Sequence, residues 1–174
     1  MKSTFKLLPL FIILGLIITS CSKSDDIKPA DVVGTWNISK REGTYKLPKE
    51  TTAKTLSDSD LDDLEIFYAD TFTFKSDKTF TTEDNDFFGT YTLSGNKLSM
   101  TIKEDNNEIT ITRTVQVSGS NLIITTDLQS INDLFQAYLK IIVDKNDKDF
   151  ISLIISQLNS TYSELTVKDT YLKK

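Results

Sequence analysis

The sequence predicts a mainly β fold, an up-and-down antiparallel barrel of about eight strands with two amphipathic helices inserted before the last strand. Three observations lead to it. Threonine alternates with aromatic and branched residues through the middle of the chain, as in Asp70-Thr71-Phe72-Thr73-Phe74-Lys75 and Gly89-Thr90-Tyr91-Thr92-Leu93. The pairs Ser76-Asp77, Gly95-Asn96, Asn106-Asn107 and Gly119-Ser120 cut that pattern into runs suited to hairpins. Beyond residue 128 the apolar period lengthens to that of a helix, and near the C-terminus it returns to two.

The first strand is expected over 33–41, and the following ones over 65–75, 78–83, 87–94, 97–104, 108–118 and 121–128. Successive side chains of a strand point to opposite faces, so Phe72 and Phe74 share a face, as do Tyr91 and Leu93, and Leu98, Met100 and Ile102. Between the first two strands, Arg41 to Asp63 reads as a long polar segment. Ser57 to Phe67 within and beyond it reads as a short helix, capped by Ser57 or Asp58 and with acids in its first turn.

The strand 108–118 breaks its own pattern. Ile109, Ile111, Val115 and Val117 share a face with Arg113 in its middle, while Thr110, Thr112, Thr114 and Gln116 take the other. An inward guanidinium is costly unless it meets a carboxylate, a carbonyl, an aromatic face or a ligand anion, or reaches water along its stem. Arg113 and Arg41 are the two arginines of the chain.

After residue 128, Ile131, Leu134, Phe135, Tyr138, Ile141 and Ile142 recur at helical spacing, and Phe150, Ile151, Ile154, Ile155 and Leu158 do so after the polar break Asp144 to Asp149. These helices, about 129–160, are expected to cover apolar barrel surface, with a lid or a partner groove as alternatives. From Tyr162 to Leu172 alternation returns, with Leu165, Val167 and Tyr171 on one face. That last strand would pair with the first and remove both sheet edges.

At the N-terminus, Lys2 and Lys6 precede an apolar run from Leu7 to Ile18. Its twelve residues fall short of the roughly 20 that span a bilayer, and match the apolar core of an export signal. Ile18-Thr19-Ser20-Cys21 resembles the lipobox of bacterial lipoproteins. The resemblance implies that residues 1–20 are removed and that Cys21 carries lipid, which makes the membrane a partner through the N-terminus. Residues 21–31 are then a lipidated cysteine and polar tether, and 32–174 the folded domain. Asp25-Asp26, just behind the cysteine, resembles the surface-export signal of Bacteroidota lipoproteins, with a plain solvated linker as the alternative. The expected location is the outer membrane of a bacterial cell envelope, on a face left open.

Val33-Gly34-Thr35-Trp36-Asn37-Ile38 resembles the Gly-x-Trp element that opens lipocalins and lipocalin-like bacterial lipoproteins, and Asp70 to Phe80 resembles the hairpin that follows it. The resemblance implies that Gly34 and Trp36 close the barrel floor and that Trp36 packs against a later arginine. Arg113 is the candidate, although the family's arginine comes from near the last strand. Arg113 is thus open to two roles, structural residue or reader of an anionic ligand. The resemblance also places the segment from Arg41 to Asp63 at the barrel mouth as a ligand-gating loop.

Composition narrows the function. Without Lys2 and Lys6 the chain has 18 basic and 25 acidic residues, a charge of −7, which disfavours nucleic acid as a partner. There is no histidine, so Ser-His-Asp and Cys-His catalysis and His-ligated metals are excluded. Asp58 to Asp63 begins like a calcium loop but has Asp63 where the turn needs glycine, and Asp144 to Asp149 has Lys148 at a ligand position. No catalytic residue, metal or cofactor is assigned, and the chain is read as a non-enzyme. The leading expectation is a small, mostly apolar ligand in the barrel, with Phe72, Phe74, Tyr91, Met100 and Arg113 as lining candidates. The alternative is an interaction or structural module that contacts another envelope protein and has no small-molecule cavity.

Overall fold

A computed structural model describes residues 27–62, 64, 69–83, 87–104 and 107–174; the segment expected to be an export signal, and Cys21, lie outside them. In chain order the elements are α1 (Pro29–Val32), β1 (Gly34–Lys46), β2 (Lys54–Thr55), α2 (Asp58–Asp62), β3 (Thr71–Phe74), β4 (Thr79–Thr82), β5 (Phe88–Ser94), β6 (Lys97–Glu104), β7 (Asn107–Ser118), β8 (Asn121–Asp127), α3 (Leu128–Ile141), α4 (Lys145–Thr161) and β9 (Glu164–Lys173). Strands β1 and β3 to β9 pair in sequence, and β9 pairs back on β1, closing an eight-stranded antiparallel barrel with β2 as an extra strand outside the ring. Left-handed backbone at Gly95 (φ 57°) and Gly119 (φ 60°) makes the tight β5–β6 and β7–β8 turns.

The threonines that made the strands legible face outward and pair across them. Thr101 meets Thr110 at 2.9 Å between hydroxyls, and Ser99 meets Thr112 at 2.8 Å. Inward positions fall into two apolar clusters. The floor cluster holds Val32, Trp36, Phe72, Phe74, Phe80, Tyr91, Leu98, Met100, Val115, Leu122, Ile124 and Tyr171. The mouth cluster holds Leu56, Leu61, Ile109, Ile131, Leu134, Phe135, Leu165 and Val167.

Three expectations are corrected. The segment from Arg41 is not a loop: β1 continues to Lys46 on β9, through Arg41↔Asp169, Gly43↔Val167 and Tyr45↔Leu165, and Leu56 and Leu61 beyond it are buried in the mouth cluster. The strand expected from residue 65 begins at Thr71 within the described residues. The segment read as tether is structured from Ile27, which packs on the floor cluster beside α1, so the folded body starts before residue 32. Polar composition hid the first and the third, because a few apolar residues suffice to anchor such segments.

A β-bulge explains how β1 changes face. Trp36 and Ile38 belong to the floor core, and the register with β9 slips between Ile38 and Lys40, leaving Ser39 as the extra residue. One inserted residue reverses the parity of everything after it, so Arg41, Gly43 and Tyr45 take the inner face. Ser39 ties the bulge by donating to the Thr170 carbonyl at 2.9 Å.

The helices form a cap at the mouth. Asp127 caps α3, accepting from the Ser130 amide at 2.8 Å, and α3 buries Ile131, Leu134 and Phe135. Asp144 caps α4 in the same way, accepting from the Asn146 amide at 2.7 Å. The two helices are joined by reciprocal amide bonds between Asn132 and Asn159 at 2.8 and 3.1 Å. Helix α4 buries no residue fully and leaves Phe150 and Leu153 exposed.

Candidate functional site

The floor is closed by satisfied aromatic groups. Trp36, fully buried, donates from Nε1 to the Val32 carbonyl at 2.7 Å, which ties α1 under the barrel. Tyr91 Oη donates to the Lys75 carbonyl at 2.9 Å. Phe72, Phe74, Phe80, Tyr91 and Tyr171 pack ring against ring, with centroids 5.1 to 6.5 Å apart. The expected contact of Trp36 with Arg113 does not form; Lys173 of the last strand lies over the indole, Nζ 5.1 Å from the ring centroid. Trp36 lies at the N-terminal end of β1, whereas Arg113 is midway along β7, opposite Leu98.

Between floor and mouth runs a polar belt of Arg41, Arg113, Thr126 and Asp169. Inward alternation on β7 gives Ile109, Ile111, Arg113, Val115; on β9 it gives Leu165, Val167, Asp169, Tyr171. Extending the β7–β8 register one step past Thr114↔Thr125 sets Thr126 across from Arg113. Arg41 is held on three sides: Nη1 and Nη2 each donate at 3.0 Å, to the carbonyls of Leu61 and Leu64, and Nε lies 3.1 Å from Asp169 Oδ1. That last contact is an ion pair whose two atoms are not aligned as a hydrogen bond.

Arg113 is treated differently. It is 4% exposed, and its Nε has no hydrogen-bond partner; Thr126, 2% exposed, has a hydroxyl in the same condition. Burial pulls the Arg113 guanidinium below its ordinary pKa, with Tyr171 and Asp169 pulling it back up. Burial likewise raises Asp169 above the usual carboxylate range, against the attraction of Arg41 and Arg113. Tyr171, raised by burial and by Asp169, stays a neutral donor and gives its hydroxyl to the Ala69 carbonyl at 3.0 Å.

Arg113 lines a recess. Among the described residues its walls are Phe72, Phe80, Met100, Ile102 and Ala69 from the floor side and Ile111, Leu134 and Tyr138 from the mouth side, with Phe87 completing them. Its cavity volume is about 40 Å³. Strand lengths create it. Four residues in β3 and in β4 span roughly 13 Å, against roughly 40 Å for the twelve of β7, so the barrel wall is low on one side and α3 roofs the step.

Of the residues predicted to line a ligand site, Phe72, Met100 and Arg113 are brought together on this recess. Phe74 and Tyr91 are packed into the floor, away from the recess wall. Sequence reasoning missed Asp169, although it shares the parity of Leu165, Val167 and Tyr171; an acid on an apolar face was the available signal. It also missed Thr126, and the turning-in of Arg41 by the bulge. Among the described residues no cluster of acidic or cysteine side chains is placed to hold a metal ion, and no helix is long and apolar enough to cross a membrane.

The comparisons agree with the barrel. No curated protein and no solved structure matches the chain. The family model described as a lipocalin-like domain matches residues 32–124, more than half of the 174, from the end of α1 through the first six strands of the ring and into the seventh. The chain therefore belongs to the lipocalin-like domain family.

Proposed function

We propose that the protein is a cell-envelope lipoprotein, anchored through lipid on Cys21 to the outer membrane, whose barrel carries a small, mostly apolar molecule. The observation that carries the reading is the recess beneath α3, whose described lining is apolar apart from Arg113. Its cavity volume of about 40 Å³ is well below the range of about 300–1,000 Å³ common for small-molecule sites, so a ligand must displace lining side chains or lie mostly at the open side of the recess. The family consists in the main of binding proteins rather than enzymes.

Protein released gently from its native envelope should carry a non-covalent apolar molecule by native mass spectrometry. A bare protein mass under those conditions would overturn the reading. The anchor is tested apart from it: Cys21→Ala should leave the membrane fraction and stop taking up labelled fatty acid.

A second reading, a non-enzymatic module that contacts another envelope protein, is favoured by α4 alone, where Phe150 is 62% and Leu153 53% exposed. Phe150→Lys with Leu153→Lys should then abolish crosslinking to that protein in cells. Excising residues 42–63 is not a test, because 42–46 form part of the barrel wall.

A further inference from the structure

Charge is distributed unevenly between the two ends of the barrel. Because neighbouring strands run antiparallel, the start of β1, the β3–β4, β5–β6 and β7–β8 turns and the end of β9 all lie at the floor end. That end carries Lys28, Lys75, Lys78, Lys97, Lys173 and Lys174, all exposed, against two carboxylates, Asp31 and Asp77. Adding Lys23, Asp25 and Asp26 of the tether leaves the sign positive, in a chain whose charge without Lys2 and Lys6 is −7. Among the described residues none of these six lysines is in an ion pair, whereas Lys46, Lys54, Lys103 and Lys145, toward the mouth, each hold a carboxylate. The contacts the floor lysines do make are neutral ones: Lys97 Nζ donates to Thr114 Oγ1 at 2.8 Å, and Lys173 lies over Trp36. Asp31 and Asp77 are occupied by backbone amides, of Lys28 at 2.8 Å and Thr79 at 3.0 Å. The mouth has the other sign, as in the segment after β1, where Glu50, Asp58, Asp60 and Asp62 face Lys49 and Lys54 alone among the described residues.

We propose that the floor end is a docking face for an anionic lipid bilayer, which stands the barrel on the membrane with its mouth and the α3–α4 cap turned away. The proposal rests on the Cys21 anchor above and adds an orientation to it. The length of chain before the folded body supports it: Ile27 packs on the floor cluster six residues after Cys21, a reach of at most about 20 Å. A lipid on Cys21 therefore holds the end that carries the lysines. Attraction to a charged surface fades over about 8 Å in physiological salt, so only an end kept that near the head groups experiences it. Each basic residue there strengthens attachment by about fivefold, and the tether supplies the proximity that makes such weak contacts count. The acidic mouth is repelled by the same surface, which makes the two orientations unequal. Leu172, 48% exposed beside Lys173, adds an apolar group to the docking face.

The test uses protein expressed from the full chain in its native envelope and moved into vesicles of phosphatidylcholine, alone or with about one-third phosphatidylglycerol, in about 0.05 M and about 0.5 M salt. A thiol-reactive fluorophore is placed through Ser76→Cys in the β3–β4 turn or Asn146→Cys on α4, and a spin label on the lipid head groups quenches it. The Ser76→Cys label should be quenched at least threefold more on anionic than on neutral vesicles at low salt, and high salt should remove the difference. The Asn146→Cys label should stay unquenched throughout. Lys75→Gln, Lys78→Gln and Lys174→Gln together should bring the Ser76→Cys ratio close to one, while Lys140→Gln with Lys148→Gln on the helices should leave it unchanged. Equal quenching at the two sites, or a Ser76→Cys signal indifferent to lipid charge, salt or the three floor lysines, overturns the proposal and leaves the anchor intact. The anchor is read separately: a wild-type chain that takes up the thiol label or washes off neutral vesicles removes it. The docking face then survives only if that chain still binds anionic vesicles at low salt and the three substitutions abolish the binding; binding to neither vesicle removes both readings. Should the triple variant fail to fold by circular dichroism, the salt and lipid comparison with the six lysines in place decides alone.

Discussion

The two halves of the barrel interior are built to different rules. In the floor, every large ring is packed against another or closed by a hydrogen bond, as Trp36 on Val32 and Tyr91 on Lys75 illustrate. In the belt just above it, Arg113 Nε and Thr126 Oγ1 are buried with nothing to bond to, beside a recess that the short strands leave open. Buried polar groups elsewhere in proteins are nearly always satisfied, so a concentration of exceptions in one layer marks where stability was traded for something else. The floor holds the barrel shut, and the belt leaves buried polar atoms unmatched beside the recess.

The largest effect should come from breaking the floor. Trp36→Ala removes the biggest fully buried side chain and the bond to α1, and should cost about 3–5 kcal/mol in urea unfolding. A loss below about 1 kcal/mol would mean the floor is not the stabilising half. Next comes the β5–β6 pair: a Cβ on Gly89 would lie 1.9 Å from the Thr101 backbone carbonyl, so β5 and β6 must separate. Gly89→Ala should cost about 1–3 kcal/mol by the same measurement.

The belt should respond in the opposite sense. Arg113→Met replaces an incompletely satisfied buried cation with an apolar chain of similar length, and should leave the ligand-free protein as stable as wild type or raise it by up to about 2 kcal/mol. A clear loss of stability would assign Arg113 to the scaffold. The smallest effect is in the pH profile. Asp169 has a folded pKa above its unfolded one, so its contribution is fully present below the unfolded value near pH 4 and is lost as pH rises through the raised folded value. Asp169→Asn should remove that decline. Asp127 has the opposite sign: burial works against its charged form, but the Ser130 hydroxyl and amide outweigh it and hold its pKa low, so its support for α3 is lost as pH falls. Unfolding curves from pH 3 to 7 on wild type and Asp169→Asn separate the two.

Much of this was legible in the chain itself because period and punctuation are local. Two-residue alternation identified most strands, turn pairs separated them, and the helical period after residue 128 located α3 and α4. Alternation also put Arg113 on the inner face, and it carried Asp169 in the same way, one position between Val167 and Tyr171. The expectation of an export signal ending at Cys21 likewise rests on a local pattern, of run length and spacing.

Tertiary structure decided what these inward residues meet. The bulge at Ser39 has no signature in the residues around it, yet it alone turns Arg41 toward Asp169, because a strand's parity after a bulge is fixed by its partner's register and not by its own sequence. Closure of β9 on β1 set Lys173, rather than Arg113, over Trp36. The recess arises because β3 and β4 are shorter than β7 and α3 spans the difference, which depends on how lengths match around the ring. The sequence determined which side chains enter the barrel; only the closed sheet determined which of them are matched and which face open space.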